Sequence, residues 1–238
     1  MIGEAAAPLG VEVIVLDPTP NCPAEAVVSD QIVAAFDDPD GIDTLASRVD
    51  FLTYEIELAD PSTLKAVGDS HNIPVHPDPD TLQMIQDKLV QKEALADAGI
   101  PVPDCVPVAT AEGLARITDT FDGVMLKARK GGYDGRGNIP IKPGDDAKKA
   151  LDAIGTDAMA EQFVPFKREL AVIGVKGADG ETRTYPVTET IHHEEILRES
   201  VSPARTSEST RLSMRRTTFD YEQQSASWDT HRSIHGGK

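Results

Sequence analysis

Cys22 and Cys105 are the only cysteines among 238 residues. They make no Cys-x-x-Cys pair and have no histidine companions at zinc-binding spacing, so two reduced thiols are expected. Positive charge is also scarce. Lysine and arginine number 23 against 40 aspartates and glutamates, a formal net charge of -17, which argues against the basic footprint of a nucleic-acid binder, so no nucleic-acid partner is expected. Such an acidic surface keeps a chain soluble through self-repulsion and would suit a high-salt cytoplasm, where that repulsion is screened. No apolar run reaches the roughly 18 residues of a membrane span and no signal peptide is recognisable, so no membrane partner and a cytoplasmic location are expected.

The common nucleotide-binding fingerprints are missing too. There is neither a Gly-x-x-x-x-Gly-Lys-Ser/Thr loop nor a Gly-x-Gly-x-x-Gly turn opening a helix. In their place stands Lys127 to Gly137, Lys-Ala-Arg-Lys-Gly-Gly-Tyr-Asp-Gly-Arg-Gly, after the apolar run Gly123, Val124, Met125 and Leu126. A β-type run delivers a lysine, and Gly131, Gly132, Gly135 and Gly137 then enclose Tyr133, Asp134 and Arg136. Glycine lets backbone N–H groups approach an anion closely, while Lys127, Lys130 and Arg136 supply charge. The stretch reads as a strand feeding a phosphate-covering loop, against the plainer alternative of a glycine-rich hairpin.

The rest of the chain alternates between helix and strand signals. Met1 to Gly10 predicts a small-residue helix and Val11 to Leu16 a buried strand, closed by Asp17 and Pro18. In a doubly wound sheet these would be the first helix and the second strand. Gln31 to Phe36, Asp40 to Arg48, and Phe51 to Glu57 predict strand, helix and strand, with Glu55 and Glu57 on one face of an extended end. The carboxyl end of a parallel strand is where open α/β sheets bind ligands, although a solvated strand end would carry the same residues. Pro61 to Val67 predicts a helix and Ile73 to His76 a strand. Asp80 to Ala98 reads as one helix striped by Leu82, Ile85, Leu89 and Leu95 and stopped at Gly99, with Lys88 inside it.

From residue 105 to 165 the pattern is strand, helix, strand, loop, strand, helix, strand. Its elements include a helix at Ala111 to Ile117, strands at Val124 to Lys127 and Asn138 to Ile141, a helix at Asp145 to Ile154 and a strand at Ala158 to Val164. Residues 168 to 176 alternate as one strand opening with Glu169, a candidate buried carboxylate, and Asp179 and Gly180 turn a hairpin into Thr182 to Val187. His192, His193, Glu194 and Glu195 invite a metal reading, but adjacent histidines on a strand point to opposite faces and seldom share an ion. Beyond about Arg205 the charge balance turns from -19 over residues 1–204 to +2 over 205–238, and apolar periodicity ends. A disordered tail or a reading-frame change near Thr206 would account for this, and the second is the expectation.

Five blocks occur in one order: Thr53 to Glu57; Gln86 to Lys92; Lys127 to Gly137; Glu161 and Gln162 with Glu169; and His192 to Ser200 with its Ile-Leu-Arg-Glu-Ser. In this the chain, over about residues 1–204, resembles the N5-carboxyaminoimidazole ribonucleotide synthetases of the ATP-grasp superfamily. The resemblance implies an α/β fold: a truncated doubly wound domain over 1–79, an ATP-grasp N-lobe over 80–164, the start of its C-lobe over 165–204, and an unstructured or out-of-frame tail over 205–238.

It further implies that Lys127 and Lys88 meet nucleotide phosphates and that the loop Gly132 to Asn138, with Gly135 and Gly137, closes over them. The backbone of Glu161, Gln162, Phe163 and Val164 would hold the adenine edge, Glu169 the ribose hydroxyls, and His192 another part of the nucleotide. Tyr133, Asp134 and Arg136 would serve catalysis, and Glu55 and Glu57 would line the site for 5-aminoimidazole ribonucleotide.

The implied activity joins ATP, bicarbonate and 5-aminoimidazole ribonucleotide, with Mg2+, in purine synthesis, by a homodimer. The family's opening strand with its glycine turn and its later acidic magnesium ligands have no counterpart here, so no metal ligand is assigned and an inactive or poorly folded chain is expected. Another ATP-grasp ligase or carboxylase, or a non-catalytic nucleotide-binding remnant, are the alternatives.

Overall fold

The computed structural model describes residues 1–131, 137–177, 179–193 and 196–215, and the chain divides into two compact units, Met1–Asp87 and Lys88–Lys238. The first contains α1 (Ile2–Ala6), β1 (Ile14–Leu16), β2 (Asp30–Ile32), α2 (Pro39–Ala46), β3 (Leu52–Thr53), α3 (Pro61–His71), β4 (Val75–His76) and α4 (Pro79–Ile85). β1 pairs with β2 and β3 with β4, both in parallel, with Ile14 opposite Asp30 and Leu52 opposite Val75.

An Asp-Pro dipeptide opens three of these helices. Asp38, Asp60 and Asp78 accept the backbone N–H of Asp40, Thr63 and Asp80, and the proline after each occupies the first turn, where its missing N–H costs nothing. The helices then bury Ile42, Ala46, Leu64, Val67 and Leu82 around Leu52 and Ala59. Helix α3 lies so close to β4 that a Cβ on Gly68 would sit 2.8 Å from Val75 Cγ2. Parallel strands alternating with helices over one apolar core form the doubly wound α/β arrangement.

The helix expected from Asp80 to Ala98 is two helices, because its apolar stripe is divided between the two units. Leu82 is buried in the first unit. Leu89 is buried in the second, on α5 (Lys88–Asp97).

After α5 come β5 (Cys105–Val108), α6 (Ala111–Phe121), β6 (Val124–Ala128), β7 (Asn138–Ile141), α7 (Ala147–Ile154) and β8 (Ala158–Gln162). The strands form an antiparallel sheet in the order β5-β8-β6-β7. Leu114 of α6 and Ala147 and Ala150 of α7 cover one face of it, over Val108, Val124, Leu126, Ile141, Ala158 and Ala160. Strand alternation therefore sends Met125, Lys127, Met159 and Glu161 to the other face.

The single strand expected over 168 to 176 is two, β9 (Glu169–Ala171) and β10 (Gly174–Lys176), because they take different partners. β10 pairs with β11 (Thr182–Thr184) through the turn at Asp179 and Gly180, where Gly180 has φ +83°. β9 joins β12 (Thr188–His193) and β13 (Ile196–Val201) in the order β13-β12-β9.

Residues 204–215 remain tied to this unit. Ala204 is 2% exposed and donates its N–H to Val187 O at 2.8 Å, Arg205 Nε reaches Glu189 Oε2 at 3.0 Å, and residues 208–215 are helical. No described helix is long and apolar enough to cross a membrane.

Candidate functional site

The sheet face away from α6 and α7 carries the charge. Across β6 and β8, Met125 stands opposite Glu161 and Lys127 opposite Met159, so Lys127 and Glu161 are diagonal neighbours on that face. Lys127 Nζ lies 2.7 Å from Glu161 Oε1. The other carboxylate oxygen, Oε2, is 3.0 Å from Nζ of Lys92, on α5. The Glu161 side chain is 11% exposed, against 23% and 24% for Lys127 and Lys92.

Two more contacts complete the cluster. The Lys88 backbone N–H donates to Arg129 O at 2.9 Å and its Nζ to Ala128 O at 3.2 Å, which pins the start of α5 to the end of β6. Cys105 stands opposite Glu161 in the β5–β8 register, and its Sγ donates to Pro103 O at 3.3 Å and lies 3.8 Å from Glu161 Oε2.

Burial pushes the Glu161 carboxyl up, but hydrogen bonds from Lys127 and Lys92 and their charges outweigh it, leaving the group below its usual range. Burial, and then the negative charge of Glu161, pushes the Cys105 thiol up. The thiol is therefore a neutral wall of the cluster, and both cysteines are free. Two ammonium groups on one carboxylate, Lys127 and Lys92 on Glu161, leave a net positive centre in a chain of charge -17, which is chemistry for holding a polyanion.

The loop that follows β6 is closed at its base by Ala128 N–H donating to Gly137 O at 2.8 Å. Gly131 and Gly137 have φ +71° and +87°, left-handed values that glycine adopts without a steric penalty. Asn138 stands opposite Lys127 at the start of β7. Gly132, Tyr133, Asp134, Gly135 and Arg136 lie outside the described residues.

Strand β8 ends at Gln162, whose N–H donates to Asp104 O at 2.9 Å. Phe163 and Val164 follow, 42% and 51% exposed, with a Cβ on Gly123 reaching within 3.3 Å of the Phe163 ring. Glu161 was expected to contribute through its backbone. What the structure shows is its side chain, which anchors two lysines.

A second cluster sits on the β13-β12-β9 sheet. His192 Nδ1 is 2.8 Å from Glu169 Oε2. Glu169 was read as a buried carboxylate, but its side chain is 43% exposed, because β9 lies at the edge of a three-stranded sheet. No group of three metal-ligating side chains occurs among the described residues, His192 and His193 included.

Glu55 and Glu57 belong to the first unit and are not on a strand. β3 stops at Thr53 and the chain bends through 55–59, held where Gln86 Nε2 donates to Glu57 O at 2.8 Å and Ala59 O at 2.9 Å. Both carboxylates are exposed in the loop beyond the carboxyl end of β3. The alternation expected of an extended segment is lost because β3 pairs with β4 over only two residues.

Lys92 was not singled out from the sequence. Its signal was its place four residues after Lys88, on the same side of a helix.

The ATP-grasp domain family matches residues 93–219, and the ribonucleotide synthetase preATP-grasp domain family matches residues 1–86. The strand-borne lysine, the glycine loop and the domain that precedes them thus define an ATP-grasp protein of the ribonucleotide synthetase kind. Phosphoribosylaminoimidazole carboxylase of Saccharomyces cerevisiae is 37% identical over 219 residues, covering 89% of this chain and 38% of that protein. N5-carboxyaminoimidazole ribonucleotide synthase of Staphylococcus saprophyticus is 31% identical over 209 residues, covering 86% and 55%.

The crystal structure of N5-carboxyaminoimidazole synthase from Aspergillus clavatus, in complex with ADP and 5-aminoimidazole ribonucleotide, superposes with a TM-score of 0.84 at 30% identity, over 92% of this chain and 57% of that one. The chain belongs to the N5-carboxyaminoimidazole ribonucleotide synthase family. It spans 38% to 55% of the length of these two relatives. Although a frame change was expected near Thr206, the ATP-grasp match continues to residue 219.

Proposed function

We propose that this chain supplies the nucleotide-binding part of an enzyme that carboxylates 5-aminoimidazole ribonucleotide with ATP and bicarbonate. The observation that carries this reading is the Lys127–Glu161–Lys92 cluster at the mouth of the glycine loop, in a chain of this family. Lys127 and Lys88 would meet the phosphates, with Gly132, Gly135, Gly137 and Asn138 closing over them. The backbone of Glu161, Gln162, Phe163 and Val164 would hold the adenine edge, and Glu169, oriented by His192, the ribose. The A. clavatus relative holds ADP and 5-aminoimidazole ribonucleotide, and we assign the latter in this chain to the loop of Glu55 and Glu57.

The chemistry fits the residue types. A bicarbonate oxygen attacks the γ-phosphorus and ADP leaves, giving carboxyphosphate; the exocyclic amine then attacks its carbonyl carbon, losing a proton, and phosphate leaves. Phosphoryl transfer calls for positioning and charge neutralisation, which Lys127, Lys88 and backbone N–H groups supply. Tyr133, Asp134 and Arg136 on the loop would face the reacting groups and exclude water. The described residues offer no carboxylate cluster for Mg2+. A homodimer in the cytoplasm completes the proposal.

Isothermal titration of the purified chain with ADP, followed by the Lys127→Met variant, tests this. Saturable one-site binding that weakens at least about tenfold in the variant, the loss of one charge-assisted contact, is expected. Equal affinity of the two proteins would remove Lys127 from the site.

A further inference from the structure

Lys92 is given no contact with the ligand in the reading above, yet it holds one oxygen of the cluster's buried carboxylate. Glu161 cannot keep both lysines if Lys127 turns its ammonium to a phosphate. A buried carboxylate that loses its partners is strongly disfavoured in its charged form and takes up a proton instead. What happens to Glu161 at that moment depends on the groups facing it.

Those groups come from three elements. Lys127 is on β6, Lys92 on α5, and Cys105 on β5. Cys105 offers only a weak S–H donor at 3.8 Å and carries no positive charge. Lys88, although also on α5, directs its Nζ to Ala128 O. Lys92, 3.0 Å from the oxygen that Lys127 does not use, is the one described cation able to stay.

We propose that Lys92 is a positioning residue for Lys127 that acts through Glu161, keeping the buried carboxylate paired and ionised when Lys127 moves to an anionic ligand. The pairing makes Lys127 transferable. With one lysine only, ligand and carboxylate would compete for it; with two, the ligand takes Lys127 and Glu161 keeps Lys92. This rests on the nucleotide reading of the site.

The sign of a proton linkage distinguishes this from simple loss of charge. In a Lys92→Met variant, Glu161 is paired with Lys127 before the ligand arrives and unpaired after it, so binding takes up a proton. Affinity relative to the parent chain then falls as pH rises, by up to about tenfold per pH unit. The ratio at each pH cancels the titration of the ligand itself.

The experiment is calorimetric titration with ADP between about pH 6 and pH 8, on the parent chain, Lys92→Met, Glu161→Gln and the double variant. A ratio that worsens with pH in Lys92→Met is expected, together with equal affinities for Glu161→Gln and the double variant, since Lys92 has no task once the carboxylate is gone. The Glu161→Gln comparison stands even if Lys92→Met fails to fold. A pH-independent ratio, or a further loss in the double variant, overturns the proposal, the latter because Lys92 would then touch the ligand itself. Absence of ADP binding by the parent chain defeats the nucleotide reading, and this inference with it.

Discussion

Lys127 and Glu161 are joined by a 2.7 Å bond running diagonally between β6 and β8, and both alternate oxygen and alternate lysine are used, since Lys92 takes Oε2 at 3.0 Å. The folded carboxyl titrates below its ordinary value, so its contribution to stability is complete above the unfolded value of about 4.3. It is lost as pH falls through the folded value. Urea unfolding between about pH 3 and pH 7 should show an acid-side decline that is shallower in Glu161→Gln. An unchanged slope would mean that the pair is already open in the native protein.

Removing the carboxylate altogether leaves two ammonium groups facing each other in a half-buried space. Glu161→Ala should cost about 3 kcal/mol, the usual scale for breaking a buried pair from one side. The midpoint of urea denaturation, at constant slope, is the measurement. A loss under about 1 kcal/mol would place the lysines in solvent.

The core of the second unit makes a separate prediction. Leu126 is 0% exposed, under α6 and α7. Leu126→Ala should cost about 2 to 5 kcal/mol, by lost transfer energy and the cavity left behind.

Helix caps provide a smaller and more local effect. Asp146 accepts the Lys149 N–H at 3.0 Å at the start of α7. Asp146→Ala should destabilise by about 1 kcal/mol and Asp146→Gly by only a few tenths. Equal losses would assign the effect to something other than the cap.

Glu189 is 8% exposed and holds Arg168, at 3.2 Å, and Arg205, at 3.0 Å. It thereby fastens the segment after Pro203 to β12. In Glu189→Ala, limited trypsin digestion should cut after Arg205 and Arg211 faster than in the parent chain, and mass spectrometry of early fragments would show it. An unchanged digestion pattern would mean that Ala204 and Arg211 hold the segment without the carboxylate.

What the amino-acid sequence determined by itself was mostly local. Hydrophobic alternation and glycine placement located β7 at Asn138–Ile141 to the residue, and the Asp-Pro dipeptides start helices because a carboxylate cap and a proline at the first position act within one turn. The order of five motifs carried the family, since each lies within a short stretch of chain. Lys127 was legible because a strand, a lysine and a glycine loop adjoin in the chain.

The tertiary structure decided what depends on residues far apart. The stripe from Leu82 to Leu95 has one period but is shared between two units, and only packing divides it between Ile85 and Lys88. Glu169 reads like a buried strand carboxylate, and its exposure follows from β9 being an edge. The role of the Glu161 side chain could not be read along the chain, because it is made by Lys127, 34 residues away across the sheet, and by Lys92 on another element. Charge pairing of this kind is a matter of distance in space, which strand register and helix placement set.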